Sequence, residues 1–327
     1  MKKEYLSGIC YALLFAVPAY ALGRYFPIVG GPVFGILLGM LFARVRRAKS
    51  LESGIQFTGK KILQYAIILL GFEMNLFHVM EVGAQSLYVM IFTLLAAFGA
   101  ALLMGKVLGL GRDMTALVGA GTAICGGSAI AAVAPVIGAK DRDVVISIAT
   151  IFLFNVLAVF IFPFLGHTYG MTDMGFGMWA GTAINDTSSV VAAGYAYSAE
   201  AGAYATIVKL TRTLMIVPVC LFFALMMMRG AQGSAAGFSL KRIFPMFVLY
   251  FIVACLINTS GILPAAAAHT LGTLGKFAIV LAMSALGLNT DLAALLRNGL
   301  RPLALGMVCW IAVAGTSLLV QHALGLL

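Results

Sequence analysis

The chain is a succession of long apolar runs separated by short polar gaps. Eleven runs stand out, at approximately 8–22, 28–43, 60–77, 86–105, 115–138, 143–166, 176–198, 203–228, 243–260, 272–289 and 302–324. A hydrocarbon core of about 30 Å takes roughly 20 apolar residues to cross as a helix. Lipid offers no partner to a free backbone N–H or C=O, so runs of this kind are helical. The pattern predicts an all-α polytopic membrane protein. The gaps are too short for a separate extramembrane domain, so residues 1–327 are expected to form one membrane domain, with halves of about 1–168 and 169–327.

Composition supports this. Hydrophobic residues make up 62% and charged residues 10% of the chain, and the mean hydropathy is +1.05. A soluble domain carries about 25% charged residues, so this chain could not cover a water-facing surface.

The net charge of +10 is a topology signal. If the runs alternate, Lys2, Lys3, Arg44, Arg46, Arg47, Lys49, Lys106, Arg112, Arg229, Lys241, Arg242, Arg297 and Arg301 share one side. Arg24, Lys140 and Arg142 fall on the other, with Glu81 and Glu200. Lys and Arg concentrate in cytoplasmic loops. The N-terminus is therefore expected in the cytoplasm, the C-terminus outside, and the chain in the inner (plasma) membrane. No dedicated surface supports nucleic-acid binding. Lys2-Lys3, an apolar stretch and "AYA" at 19–21 have the outline of a signal peptide; the expectation is an uncleaved first span. Cys10, Cys125, Cys220, Cys255 and Cys309 sit singly inside apolar runs, which is neither a disulfide framework nor a metal pattern.

Two echoes interrupt the apolar text. "AGTAICGGSAI" (120–130) and "AGTAINDTSSV" (180–190) share five residues and then a serine, Ser128 or Ser188. "GKKILQYAIILLGFEMNL" (59–76) aligns with "GKFAIVLAMSALGLNTDL" (275–292). The second pair is third and tenth in order, so its members run in opposite directions, as in the inverted repeats of secondary transporters. The two echoes imply different offsets, so no single duplication generates both.

The first echo lies in the runs 115–138 and 176–198, each predicted to be discontinuous. Gly126-Gly127 interrupts one and Asn185, Asp186, Thr187, Ser188 and Ser189 interrupt the other. Such residues favour helix starts over helix interiors. A half-helix beginning at mid-membrane offers free N–H groups and a positive dipole end to an anion. Each run is either a broken spanning helix or a re-entrant hairpin. As hairpins, the two would enter from opposite faces. Small residues also serve plain helix packing, which covers "CGGS" but not an intramembrane aspartate.

Asp186 has candidate partners in Lys209 and Arg212, which share one face of the run 203–228. Two cations with one carboxylate leave net positive charge, and the arginine fork matches an oxyanion. The candidate substrate site is thus Thr122, Cys125, Gly126, Gly127, Ser128, Asn185, Asp186, Thr187, Ser188, Ser189, Lys209 and Arg212. Asp186 and Asn155 are candidates for a coupling H+ or Na+. Ser147, Thr150, Thr206, Thr211 and Thr213 add polarity nearby; Glu73, Asn75, Ser284, Asn289, Thr290 and Asp291 lie near run ends. Trp179 and Trp310 read as interfacial or packing residues.

There is no G-x-x-x-x-G-K-[ST] loop, H-E-x-x-H motif or G-x-S-x-G elbow. No enzyme activity and no cofactor are expected, and transport would draw on a gradient or be passive.

"GTAICGGSAIAA", "WAGTAINDTSSVVAAGYAYS" and "KLTRTLMIVP" resemble the YeiH-type family of bacterial inner-membrane proteins, which is linked with sulfate export. The resemblance spans essentially the whole chain. The family is distantly similar to the cation/proton antiporter and bile-acid symporter superfamily, which implies two inverted bundles with discontinuous helices meeting at the midplane. The expectation is a secondary transporter of a small anion (sulfate, a sulfonate or a carboxylate), working by alternating access in the bilayer. Its oligomeric state is left open, a homodimer included. The rivals are an anion channel, an intramembrane enzyme on a lipid-linked substrate, and a receptor-like protein.

Overall fold

The computed structural model describes residues 3–26, 30–45, 47–229, 246–290 and 299–326. Lys2, Arg46, Lys241, Arg242, Asp291 and Arg297 lie outside the described residues. Every regular element among the described residues is a helix.

The apolar runs become α1 (Lys3–Tyr25), α2 (Gly31–Leu41), α3 (Lys49–Phe57) joined through a π turn to α4 (Leu63–Gly71), and α5 (Leu76–Val107). There follow α6 (Arg112–Ala123), α7 (Gly127–Ile137), α8 (Asp141–Thr168), α9 (Asp173–Ala183) and α10 (Thr187–Tyr197). The chain continues through α11 (Ala199–Leu214), α12 (Ile216–Arg229), α13 (Met246–Thr259), α14 (Ala265–Leu288) and α15 (Leu300–Ala323). Six helices are long and apolar enough to cross a membrane: α1, α5, α8, α11 running on into α12, α14 and α15. Their outward side chains are apolar: Leu95, Leu102, Leu103 and Phe164 are all more than 60% exposed, as lipid-facing residues should be.

The runs 115–138 and 176–198 do not cross. Each is a hairpin. A Cβ on Gly121 of α6 would lie 3.1 Å from Ile130 Cγ1 of α7; in a straight helix these positions would be about 13 Å apart. At the base of the second hairpin the Tyr197 hydroxyl donates to the Met171 carbonyl, and the Tyr197 and Phe176 rings stack at 3.9 Å. Thr172 Oγ1 starts α9 by accepting from Gly175 N at 3.0 Å, and Ser198 Oγ starts α11 by accepting from Ala201 N at 2.9 Å. One full crossing, α8, separates the hairpins, so they enter from opposite faces.

The hairpins revise the loop assignment made from simple alternation. The first returns to its own face, so Lys140 and Arg142 join Lys106 and Arg112 there, and that face gains two more basic residues, with Asp141 and Asp143 beside them. Arg24 stays on the other face, with Glu81 and Glu200.

Two inverted pairs account for the two offsets. The modules α6–α8 (Arg112–Thr168) and α9–α12 (Asp173–Arg229) are equal in length, and each is a hairpin followed by a crossing. The second pair sets α2–α5 against α13–α15. A Cβ on Gly59 would face Ala282 and Leu286, and one on Gly275 would face Ala66 and Leu70. These neighbours are related by the same spacing as the glycines themselves. Gly71 lies against Phe251 O and Ala254 Cβ, where a Cβ would meet them at 2.8 and 3.0 Å; Gly287 lies against Ile36 and Gly39 in the same way. Removing the Cβ lets these helices touch backbone to backbone.

The helix ends repeat as well. α5 closes with Gly109 at φ +63° and bonds Gly109 N→Lys106 O and Leu110 N→Gly105 O. α15 closes with Gly325 at φ +67° and bonds Gly325 N→His322 O and Leu326 N→Gln321 O. Both are Schellman caps built on Leu-Gly-Leu.

The hairpin bundle meets α2, α4 and α14 through an apolar interface that includes Val191, Ala192, Ala196, Val33, Ile36 and Ile279. Gly30 makes a close approach there: its φ is +75° and a Cβ would come 2.7 Å from Ala196 Cα.

Candidate functional site

The hairpin tips meet in the interior. α6 ends at Ala123, Ile124 leaves the helix, and Gly126 turns the chain with φ +66° and ψ −127°, a conformation only glycine adopts readily. α7 then starts with no side-chain cap. α9 ends at Ala183, and Ile184 to Asp186 form an extended tip before α10. Asp186 is the N-cap of α10: its carboxylate accepts from Ser188 N at 3.0 Å and from the Ser188 hydroxyl. A Cβ on Gly126 would lie 3.6 Å from both Asn155 Nδ2 and Asp186 Cβ, so the tips and α8 are in contact.

Asn155 holds the second tip. Its Oδ1 accepts from the backbone N–H groups of Asn185 and Asp186, both at 3.2 Å. Two extended-chain donors that would otherwise lack partners share one acceptor.

Lys209 and Arg212, on one face of α11, reach behind the tips and are fully buried. Lys209 Nζ donates to Ile124 O and Ile184 O, each at 2.8 Å, and so ties one tip to the other. Arg212 donates from Nε to Ala123 O at 2.7 Å and from Nη2 to Thr122 O at 2.8 Å. Half-helix carbonyls have no intrahelical partners; here the two cations supply them.

The expected pairing of Asp186 with these cations is therefore corrected. Among the described residues neither cation forms an ion pair, because the tip carbonyls take their donors and Asp186 is taken by its helix N-terminus. The cations and the acid nevertheless share one region.

Several buried polar atoms there have no partner among the described residues: Arg212 Nη1, Thr122 Oγ1 and both polar side-chain atoms of Asn185. Buried polar groups are nearly always paired, so such a concentration needs explaining. Cys125, Ser188 and Ser189 are buried beside them, whereas Ser128 is exposed and Gly127, Asp186 and Thr187 are half-buried. The starts of α7 and α10 are thus partly accessible, whereas the two cations are fully buried.

Other candidates lie elsewhere. Glu73 pairs with Lys276 at 3.0 Å and His269 at 3.2 Å at one end of α14. Asn75 caps α5. Ser284 and Thr290 bond back to their own helix, and Asn289 accepts from Arg47. Trp179 is a packing residue, stacked on Phe162 at 4.1 Å.

One buried polar cluster, between α9 and α15, escaped sequence reasoning. Ser317 Oγ shares a 2.7 Å hydrogen bond with Thr182 Oγ1 of α9 and accepts from Gln321 Nε2 at 3.0 Å, all fully buried. A polar pair four residues apart inside an apolar run was the available signal.

This architecture defines an integral membrane protein in which two re-entrant hairpins, entering from opposite faces, are joined at their tips by a buried lysine. The chain belongs to the family described as conserved hypothetical protein 698, the YeiH-type family, whose profile matches residues 7–306. It is 48% identical to a UPF0324 membrane protein of Streptococcus pyogenes serotype M6, over 98% of both chains. It is 44% identical to one of Fusobacterium nucleatum over 98% of this chain and 99% of that one. It is 42% identical to one of Clostridium tetani over 99% of this chain and 98% of the relative.

Proposed function

We propose that the chain is a secondary transporter of a small anion, such as sulfate, a sulfonate or a carboxylate, in the inner membrane. One observation carries this reading: two half-helix N-termini start in the region of two buried cations, where Asp186 supplies one carboxylate and forms no direct ion pair among the described residues. With Lys209, Arg212 and Asp186 in their ordinary ionised forms, the region carries excess positive charge. Water-poor surroundings make that excess costly until an anion enters.

The anion would sit against the uncapped start of α7, at Gly127 and Ser128, with Thr187 and Ser188 opposite. Arg212 Nη1, Thr122 Oγ1 and Asn185 are the buried groups with capacity to bind it. Asp186, with Asn155 fixing its backbone, is positioned to carry a coupling proton. Hairpins entering from opposite faces favour alternating access over a channel, because each face owns one half of the site. The moving boundary would be the apolar interface between the hairpin bundle and α2, α4 and α14. The basic face, with Lys106, Arg112, Lys140 and Arg142, would be cytoplasmic.

The test is labelled-sulfate counterflow in proteoliposomes preloaded with unlabelled sulfate. Saturable counterflow is expected in the wild type. Arg212→Ala should lower it at least tenfold, and Asp186→Asn should remove its response to a pH gradient. Flux that is neither saturable nor accelerated by internal substrate would point to a channel. No flux from folded protein with sulfate, sulfonates or carboxylates would reject the transporter.

A further inference from the structure

A fully buried contact between the hairpins joins a side-chain cation to backbone oxygens. α6 and α9 reach the interior from opposite faces and end tip to tip, so two helix C-termini converge. Each carries about half a negative charge, and the pair therefore presents about one. Lys209 delivers one positive charge between them, 2.8 Å from Ile124 O and 2.8 Å from Ile184 O. Arg212 takes the remaining described tip carbonyls of α6, Ala123 O and Thr122 O.

In secondary transporters, half-helix C-terminal ends and unwound carbonyls are where a coupling Na+ is coordinated. Here those oxygens are occupied by a covalently attached ammonium. We propose that Lys209 is a built-in cation: it fills the carbonyl junction between the hairpin tips, so the protein binds and moves its anion without Na+ or K+. The proposal rests on the transporter reading for its flux component only; the junction itself is a claim about what holds the tips together. It also gives Lys209 a different role from Arg212. Lys209 hydrogen-bonds both tips, whereas Arg212 bonds one hairpin and keeps a donor without a partner among the described residues.

The experiment uses the purified full-length chain and two readouts, thermal unfolding in detergent and anion counterflow in liposomes. In the wild type, replacing Na+ and K+ by N-methylglucamine should leave both readouts unchanged. In Lys209→Ala the unfolding midpoint should fall by roughly 5 °C or more. Methylammonium or Na+ at tens of millimolar should recover at least half of that loss, with choline, too large for the space, as the inert control. Lys209→Met, which fills the space without charge, should lose stability and not recover.

An unfolding midpoint in Lys209→Ala that neither falls nor responds to small cations would overturn the proposal. So would a wild-type protein that requires Na+ or K+ in either readout. Should Lys209→Ala fail to fold, the wild-type substitution series decides alone. Cation rescue of unfolding without flux of any anion would reject the transporter reading and keep the junction; Na+-dependent flux would do the reverse.

Discussion

Asn155 shows how much one side chain can hold in a membrane interior. Its Oδ1 is the acceptor for two adjacent backbone donors of the second hairpin tip. Asn185 is buried and Asp186 half-buried, and a buried unpaired donor costs about 1–3 kcal/mol. Asn155→Ala is accordingly expected to destabilise the folded protein by about 2 kcal/mol or more, read as a lower unfolding midpoint in detergent. Asn155→Asp, which keeps the acceptor, should lose less. Asp186, Lys209 and Arg212 stood out in the sequence because ionisable residues are conspicuous in apolar text. Their partners did not, because those partners are carbonyl oxygens, which every residue possesses and no letter of the sequence distinguishes. Opposite charges suggested an ion pair; the orphan carbonyls of two half-helices competed for the cations and won.

Helices and their ends carry the next lesson. The apolar runs located the helices well, since lipid enforces helical backbone wherever apolar sequence persists. Run length could not say whether 115–138 and 176–198 cross or turn back, because about 24 apolar residues suit either outcome. The deciding contacts, Gly121 against Ile130 and Tyr197 over Phe176, join positions far apart in each run. The glycine echo was legible, but its extension through Leu108-Gly109-Leu110 and Leu324-Gly325-Leu326 became plain only when both caps had the same bonds. Symmetry makes a paired prediction. Gly71→Leu and Gly287→Leu should both destabilise strongly and to similar extents, because each meets backbone within 3.0 Å. Gly99→Ala and Gly315→Ala should be neutral or stabilising by up to about 1 kcal/mol, since nothing lies within 4 Å of either site. Parallel unfolding curves for the four variants would check this.

At the level of the whole molecule, the hairpins decide which loops share a face. Cysteines introduced singly at 112 and 140, in a background lacking the native five, should react with a membrane-impermeant maleimide from the same side. A cysteine at Gly170 should react from the opposite side. Labelling of 112 and 140 from different sides would mean that α6 and α7 span the bilayer. Simple alternation put Lys140 and Arg142 on the side with few Lys and Arg, and the hairpin alternative put them on the side rich in both; the fold follows the hairpin alternative.

The contacts of Lys209 and Arg212 also impose an order on synthesis. The carbonyls at the first hairpin's tip wait for side chains that lie 85 to 90 residues further along the chain. At 5–20 residues per second a ribosome needs roughly 4 to 18 seconds to make that stretch. Through that interval the first hairpin exists with its tip unclosed. Either it lingers at the membrane surface, where water serves those oxygens, or the insertion machinery shelters it until α11 arrives. The centre of this protein therefore closes only once α11, the helix that carries both cations, is in place.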